Sequence, residues 1–145
     1  VVFSTNEIHS LLKTASDRTR LYILLMLNCG MTQKDVSDLK VGEVDWETGR
    51  INRKRSKTSN HDTVPTVNYL LWPETFHLLK QERSGEPAGR LLLNSNGSPL
   101  CAESINEDQK YRKTDNIKNA FDRLRKKVNI KKPLKSLKKT SASLL

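Results

Sequence analysis

Apolar positions near the start of the chain recur at the spacing of helices. Ser4 followed three residues later by Glu7 has the pattern of a capping box and opens a first helix. Residues 20–29 are apolar almost all round, which predicts a buried central helix that is capped by Asp17 and ended by Gly30. The first thirty residues therefore predict two helices, the second of them in the core.

Short strands follow a third helix, which we predict to begin at Thr32. Val44 and Ile51 flank an Asp-Trp-Glu-Thr-Gly turn, and residues 62–67 supply another extended piece. These segments predict a small antiparallel sheet, one strand of which carries the basic residues between positions 50 and 57.

The remaining pattern is mainly helical. Pro73 opens a helix over residues 73–83, and a short strand over 90–93 precedes an Asn-Gly turn. Apolar residues that step by four, three and four positions then predict a core-facing stripe of Ile117, Phe121, Leu124 and Val128. A last helix after Pro133 places on one side Leu137, Ser141 and Leu144 or Leu145. We therefore predict a single α+β, mostly helical domain over residues 1–145, with a small antiparallel sheet.

The basic residues are concentrated in two places. The chain has a net charge of +10, and the part from Lys110 to Leu145 holds 13 Lys or Arg against two acids. Residues 50–57 add five bases and no acid. Two separated basic islands are typical of a surface that binds the phosphates of a nucleic acid and releases its counterions. The alternative is a basic tail that only aids solubility or touches any polyanion.

Composition argues against several other classes of protein. Cys29 and Cys101 have no CxxC spacing and no nearby His pair, so we predict neither a disulfide framework nor a metal site. No apolar run approaches the roughly 18 residues of a membrane span, and residues 1–10 lack the features of a leader peptide. We therefore expect a cytoplasmic protein, associated with the nucleoid if its source is bacterial.

The order of the elements resembles a known domain. The segment "FSTNEIHSLL" and the apolar helix ending at Gly30 are followed in turn by "KDVSDLKVGEVDWETGRI", "KTSNHDTVP", "LLLNSNGSPL" and "PLKSLKKTSASLL". Over nearly the whole chain, this series resembles the catalytic domain of tyrosine recombinases, the phage-integrase family. The resemblance implies a domain that clamps duplex DNA and cuts one strand with a tyrosine. The implied intermediate is a 3′-phosphotyrosyl link, formed without a metal or nucleotide cofactor.

The resemblance also assigns catalytic positions, and several of them differ here. The family's first arginine is expected shortly after the glycine that ends the apolar helix, where this chain has Thr32. The family's lysine is matched by Lys57. The next box, His-x-x-Arg, has lysine at both functional positions, Lys135 and Lys138. The family's tyrosine lies well beyond this box and the sequence ends at Leu145, so we expect a domain that is incomplete at its C-terminus and has no nucleophile.

These differences weaken the chemistry more than the charge. Arginine bridges two phosphate oxygens with a rigid fork, whereas lysine offers one mobile charge and threonine offers none. Loss of one preorganised donor to the transition state typically costs about 10²–10³ in rate. Lys135 is also a poor substitute for a histidine, because the unperturbed pKa of lysine, about 10.4, is far from neutrality.

The leading hypothesis is a tyrosine-recombinase-like domain with a degenerate active site that binds the phosphate backbone of double-stranded DNA and is able to self-associate on it. One stretch of phosphates would be contacted by Arg53, Lys54, Arg55 and Lys57, and another by Arg125, Lys126, Lys131, Lys135 and Lys138. Two alternatives remain open. The chain is a fragment of an active recombinase whose missing segment carries the tyrosine, or it is a non-catalytic interaction domain on the same fold.

Overall fold

The computed structural model describes residues 2–53, 67–85, 89–105 and 107–143. Six α-helices, a short 3₁₀ helix and five short strands are present in this part of the chain. The helices are α1 Thr5–Thr14, α2 Asp17–Cys29, α3 Gln33–Asp38, α4 Pro73–Glu82, α5 Asn116–Lys127 and α6 Ser136–Ser143, and the 3₁₀ helix is Val41–Glu43. The strands are β1 Val44–Asp45, β2 Arg50–Arg53, β3 Val67–Leu70, β4 Cys101–Ile105 and β5 Tyr111–Asp115. The α+β, mostly helical class predicted from the sequence is confirmed.

Helix α2 is the centre of the core. Its residues Leu21–Leu27 are all buried, and α1, α3, α4, α5 and α6 pack around it. Because residues 21–27 present mainly apolar side chains on every side, the other helices pack around this part of α2. Gly30 ends the helix in the left-handed conformation, with φ +62°, which glycine adopts without steric cost. Within the described residues, no helix is long and apolar enough to span a membrane.

The helix starts follow the sequence closely. Ser4 and Glu7 form the predicted capping box of α1, since each side chain accepts a hydrogen bond from the other residue's backbone N–H. Ser16, rather than the predicted Asp17, caps α2, and its hydroxyl accepts from the N–H of Thr19. Asp17 becomes the first helical residue, where its negative charge still favours the helix N-terminus.

The predicted antiparallel sheet has the order β1-β2-β3. Val44 pairs with Ile51 across the turn, as the pattern indicated, and Ile51 also pairs with Tyr69 of β3. The strand predicted to carry the basic residues is described as far as Arg53. Residues 62–66 of the predicted extended piece lie outside the described residues, and β3 begins at Val67.

Two segments differ from the sequence expectation. Residues 90–93 form no strand, because their backbone makes only isolated bridges, such as the one between Arg90 and Lys40. Leu91 and Leu92 are nevertheless buried, which explains the apolar run. The sequence pattern assigned no strand to residues 101–115, where the structure has the β4–β5 hairpin. Its strands are mostly polar and exposed, so they lack the apolar alternation by which a half-buried strand is recognised.

The apolar stripes of the last two helices were predicted correctly where the structure describes them. Ile117, Phe121 and Leu124 of α5 are buried, and Val128 is half-buried at the end of that helix. In α6, Leu137 is completely buried and Ser141 is 5% exposed. Leu144 and Leu145 lie outside the described residues. The basic C-terminal segment is therefore built onto packed helices.

Candidate nucleic-acid interface

Thr32, at the position expected to hold the first arginine, caps helix α3. Its hydroxyl oxygen accepts a hydrogen bond from the N–H of Asp35 at 3.2 Å and donates to the Oδ2 atom of Asp35 at 3.0 Å. The backbone N–H of Thr32 donates to the same carboxylate oxygen, also at 3.0 Å. The capping box thus uses both the donor and the acceptor capacity of the hydroxyl. The neutral Thr32, hydrogen-bonded to Asp35, therefore occupies the position where the resemblance implies the guanidinium group of an arginine.

Arg53, predicted as a phosphate contact, has only 8% of its surface exposed. Its Nη1 atom donates to the carbonyl oxygen of Asp35 at 2.6 Å, and its Nε atom lies 3.6 Å from a carboxylate oxygen of Glu43. Cys29, Met31, Asp35 and Tyr69 line a cavity of about 10 Å³ beside it. The guanidinium therefore ties strand β2 to helix α3 inside the protein, and we leave Arg53 out of the interface proposed below. Lys54, Arg55 and Lys57 lie outside the described residues.

The box expected to read His-x-x-Arg lies at the start of helix α6. Lys135 immediately precedes the helix and is exposed, and Lys138 is partly exposed one turn further on. Residues three apart lie on the same side of a helix, so the two ammonium groups can approach a common partner. Ser136, between them in sequence, is buried and its carbonyl accepts from the hydroxyl of Thr140 at 2.7 Å.

Two further hydrogen bonds hold α6 against the rest of the domain. The hydroxyl of Ser141 donates to the carbonyl of Leu27 in α2 at 2.6 Å, and the N–H of Phe3 donates to the hydroxyl of Thr140 at 2.9 Å. Both contacts are buried and join residues more than 100 positions apart. Lys135 and Lys138 are therefore presented from a fixed helix, which places their charges more definitely than a free tail could.

The end of helix α5 presents the other predicted contacts. Lys126 and Lys131 are exposed. Arg125 is only partly exposed, since its Nε atom lies 2.9 Å from Asp122 and its Nη1 atom donates to the carbonyl of Lys131 at 2.7 Å. Arg125 thus braces the turn that carries Lys131, and its charge is partly balanced by a carboxylate.

Several bases in the C-terminal part already have acidic partners. Although partial burial acts to raise it, the pKa of Asp122 is lowered because Lys118 and Arg125 both bind the carboxylate. The Nζ atom of Lys132 lies 2.5 Å from Glu7, and this hydrogen bond lowers the pKa of the Glu7 carboxyl. Sequence counting of charges could not separate these partnered bases from the exposed ones.

The three tyrosines in the described part have surroundings that suit structural roles. Tyr22 lies inside α2, where burial raises the pKa of its phenol. Tyr69 is half-buried on strand β3. Tyr111 is 61% exposed on β5, and its hydrogen bond with Glu103 raises the pKa of the phenol. The raised pKa values of Tyr22 and Tyr111 disfavour the phenolate, the nucleophilic form of a tyrosine.

The sequence analysis did not include three other exposed basic residues among the predicted DNA contacts. Arg123 and Lys127 lie on the solvent side of α5 and line a groove of about 160 Å³ between that helix and the loop joining α1 to α2. Arg112 lies exposed on strand β5. Their periodicity could have separated Arg123 and Lys127 from the apolar stripe, since neither position falls on it.

Comparison with known proteins decides the family. A family model described as "Phage integrase family" matches residues 2–138. The chain belongs to the phage integrase family. No protein of curated function matches it in sequence.

Solved structures of this family share the fold. XerA recombinase superimposes with a TM-score of 0.71 at 18% identity, over 99% of this chain and 50% of its own. The Tn1549 transposon integrase in complex with circular intermediate DNA gives 0.71 at 17% identity, over 100% of this chain and 54% of its own. A Tn1549 integrase complex with transposon right end DNA gives 0.65 at 16% identity, over 100% and 52%. This phage-integrase domain therefore spans about half the length of the structures it matches.

Proposed function

We propose that this phage-integrase domain binds double-stranded DNA through its phosphate backbone and does not itself cleave it. The partner is supported by the family and by the DNA present in the two Tn1549 integrase complexes. The interface consists of the exposed or partly exposed lysines Lys126, Lys131, Lys135 and Lys138. Arg125 contributes by bracing Lys131, and the bases at 54–57, which follow strand β2 in sequence, are expected to add contacts.

The observation that carries the absence of cleavage is the capping role of Thr32. A cation at this position would stabilise the charge that develops on a nonbridging phosphate oxygen. Thr32 has no charge to offer, and its hydroxyl is already hydrogen-bonded to Asp35 in both directions. Threonine at this position therefore serves as a helix cap.

The lysines of α6 support the binding half of the proposal. Lysine at positions 135 and 138 keeps positive charge where the resemblance expects a histidine and an arginine. Lysine is a competent phosphate partner as a point charge, but it provides neither a bidentate fork nor a proton donor with a pKa near 7. The pair therefore suits affinity for a phosphate rather than stabilisation of a transition state.

Equilibrium binding to a random-sequence duplex, measured at several salt concentrations, tests the interface. Each phosphate contact that is lost should make the slope of log K against log[salt] less steep by about 0.9. The triple variant K126Q/K131Q/K135Q should therefore lose about 2.7 from the slope. A matched variant, K13Q/K40Q/K80Q, neutralises three exposed lysines, on α1, just before the 3₁₀ helix and on α4, and should keep the wild-type slope. Equal slopes in the two triple variants would refute the interface.

The second candidate function is that of an active recombinase. It is supported by the fact that this chain covers only about half of the structures it matches. The chain corresponds to about half of each matched structure, so the natural protein can carry functional residues elsewhere. Incubation of the natural full-length protein with a nicked duplex distinguishes the candidates. We expect a complex that dissociates in denaturing detergent, whereas a detergent-resistant protein–DNA adduct would establish the enzyme.

A further inference from the structure

An open groove of about 530 Å³ lies between the turn at residues 94–98 and the β4–β5 hairpin. Neutral hydrogen-bonding side chains form most of its lining, among them Asn94, Asn96, Ser98, Thr114 and Asn116. A lining of amides and hydroxyls cannot neutralise phosphates, so the groove differs in kind from the lysine surface. Such groups both donate and accept hydrogen bonds, which is the chemistry that reads the edges of bases.

The hairpin beside the groove is attached at its base to helix α3. The N–H of Cys101, at the base of the hairpin, donates to the hydroxyl of Ser37 in α3 at 3.0 Å. The Sγ atom of Cys101 lies 3.8 Å from the carbonyl of Gln33, the residue after Thr32. The hairpin is thus attached directly to α3, the helix that Thr32 caps.

The hairpin has the form of a ribbon that extends beyond the core. Ile105 and Tyr111, which pair across the strands at its outer end, are 71% and 61% exposed. A two-stranded antiparallel ribbon fits the major groove of B-form DNA, which is about 12 Å wide. Because side chains alternate along a strand, Arg112 and Thr114 of β5 share one face, and Thr114 faces the polar groove.

Some polar groups around the groove are already used, and others are available. Asn94 donates to Ser98 and to the carbonyl of Pro99, and Asn96 accepts from Ser98, so these residues hold the turn. No hydrogen bond or ion pair engages the side chains of Arg112, Thr114 and Asn116 within the ranges 2–53, 67–85, 89–105 and 107–143. Asn116 is the first residue of α5, so a rigid helix positions it.

We propose that Arg112, Thr114 and Asn116 contact base edges in the major groove and give this domain its preference for DNA sequence. Arginine binds guanine with two hydrogen bonds and asparagine binds adenine with two, while threonine contacts either a polar edge or the methyl group of thymine. This inference rests on the proposed function, because it requires that the lysine surface holds the duplex. The lysines set affinity, and the hairpin sets selectivity.

Selection from a pool of random duplex DNA, followed by sequencing of the bound fraction, tests the assignment. The wild-type protein should enrich a motif. The double variant R112A/N116A should reduce discrimination about tenfold or more at one or two base pairs of that motif. The affinity of R112A/N116A for unselected duplex DNA should fall only by the amount expected from the loss of one positive charge. The matched variant R123A/N119A changes the same residue types elsewhere on exposed α5 and should keep the motif.

The outcomes separate the two proposals. A wild-type protein that binds the pool without enriching a motif, or a motif that survives in R112A/N116A, overturns the role of the hairpin and leaves backbone binding intact. A wild-type protein that binds no duplex at low salt overturns both. Both double variants should have the wild-type melting temperature, because their four side chains are exposed or partly exposed. Thermal unfolding checks this. A protein partner covering the hairpin, instead of DNA, would appear as the first outcome.

Discussion

The starts of helices α3 and α6 differ from each other in how they use the positions that the resemblance expects to be catalytic. At α3, Thr32 is neutral where the resemblance implies a charged group, and its hydroxyl is part of the helix cap with Asp35. At α6, Lys135 and Lys138 keep a positive charge and remain at the surface. Under the proposed function, the start of α3 has a structural role while the charges at α6 remain available to phosphates, because binding tolerates mobile charges and catalysis requires preorganised ones.

The largest effect in this comparison is expected from the packing that fixes α6. Leu137 is completely buried on the side of the helix opposite its charges. Leu137→Ala should lower the free energy of unfolding by about 2–5 kcal/mol, because it removes buried methyl groups and leaves a cavity. Urea unfolding measures the loss. A loss below about 1 kcal/mol would mean that α6 is a loosely attached tail, and the contrast with α3 would then lose its structural basis.

A smaller effect is expected at the cap of α3. Thr32→Ala should cost about 0.5–2 kcal/mol in the same measurement, because the N–H of Asp35 loses its acceptor. Thr32→Ser is the matched control, since serine keeps the hydroxyl and is a good capping residue. If alanine and serine were equally tolerated, Thr32 would not act as a cap, and a free position for a catalytic group would have to be considered again.

Features of the fold that depend on local spacing could be predicted from the sequence, whereas those that depend on long-range contacts could not. The start of α3 at Thr32 and the apolar side of α6 depend on local spacing, so both were predicted correctly. Arg53 was predicted as a surface charge, because its burial depends on contacts with Asp35 and Glu43 that lie 10 or more residues away. The β4–β5 hairpin was missed since its strands carry no apolar alternation. Long-range pairing of polar groups leaves little trace in a single sequence.

Not every lysine near α6 is available for DNA, and acid titration can show this. The hydrogen bond from Lys132 lowers the pKa of Glu7 below its ordinary value of 4.5. Stability from this pair is therefore present above about pH 4.5 and is lost as the pH falls through the lower, folded-state pKa of Glu7. The stability difference between wild type and Glu7→Gln should shrink over that range. A difference that stayed constant from pH 6 to pH 3 would show that Lys132 is not held by Glu7.

The smallest effect on stability is expected from the exposed lysines themselves. K135Q/K138Q should change the free energy of unfolding by no more than about 0.5 kcal/mol, because substitutions of exposed or partly exposed surface side chains usually cost no more. Urea unfolding alongside Leu137→Ala gives the comparison on one helix. A loss above about 1 kcal/mol would assign the two lysines to the stability of the fold and remove the reason for assigning them to a ligand.

The salt dependence of duplex binding tests the central claim most directly when it is measured for three proteins together: wild type, K135Q/K138Q and Thr32→Val. The account predicts a steep slope of log K against log[salt] for the wild type, a slope less steep by about 1.8 for the double lysine variant, and a wild-type slope for Thr32→Val. The reverse result, with an unchanged slope for K135Q/K138Q, would contradict the claim that α6 retains the phosphate contacts.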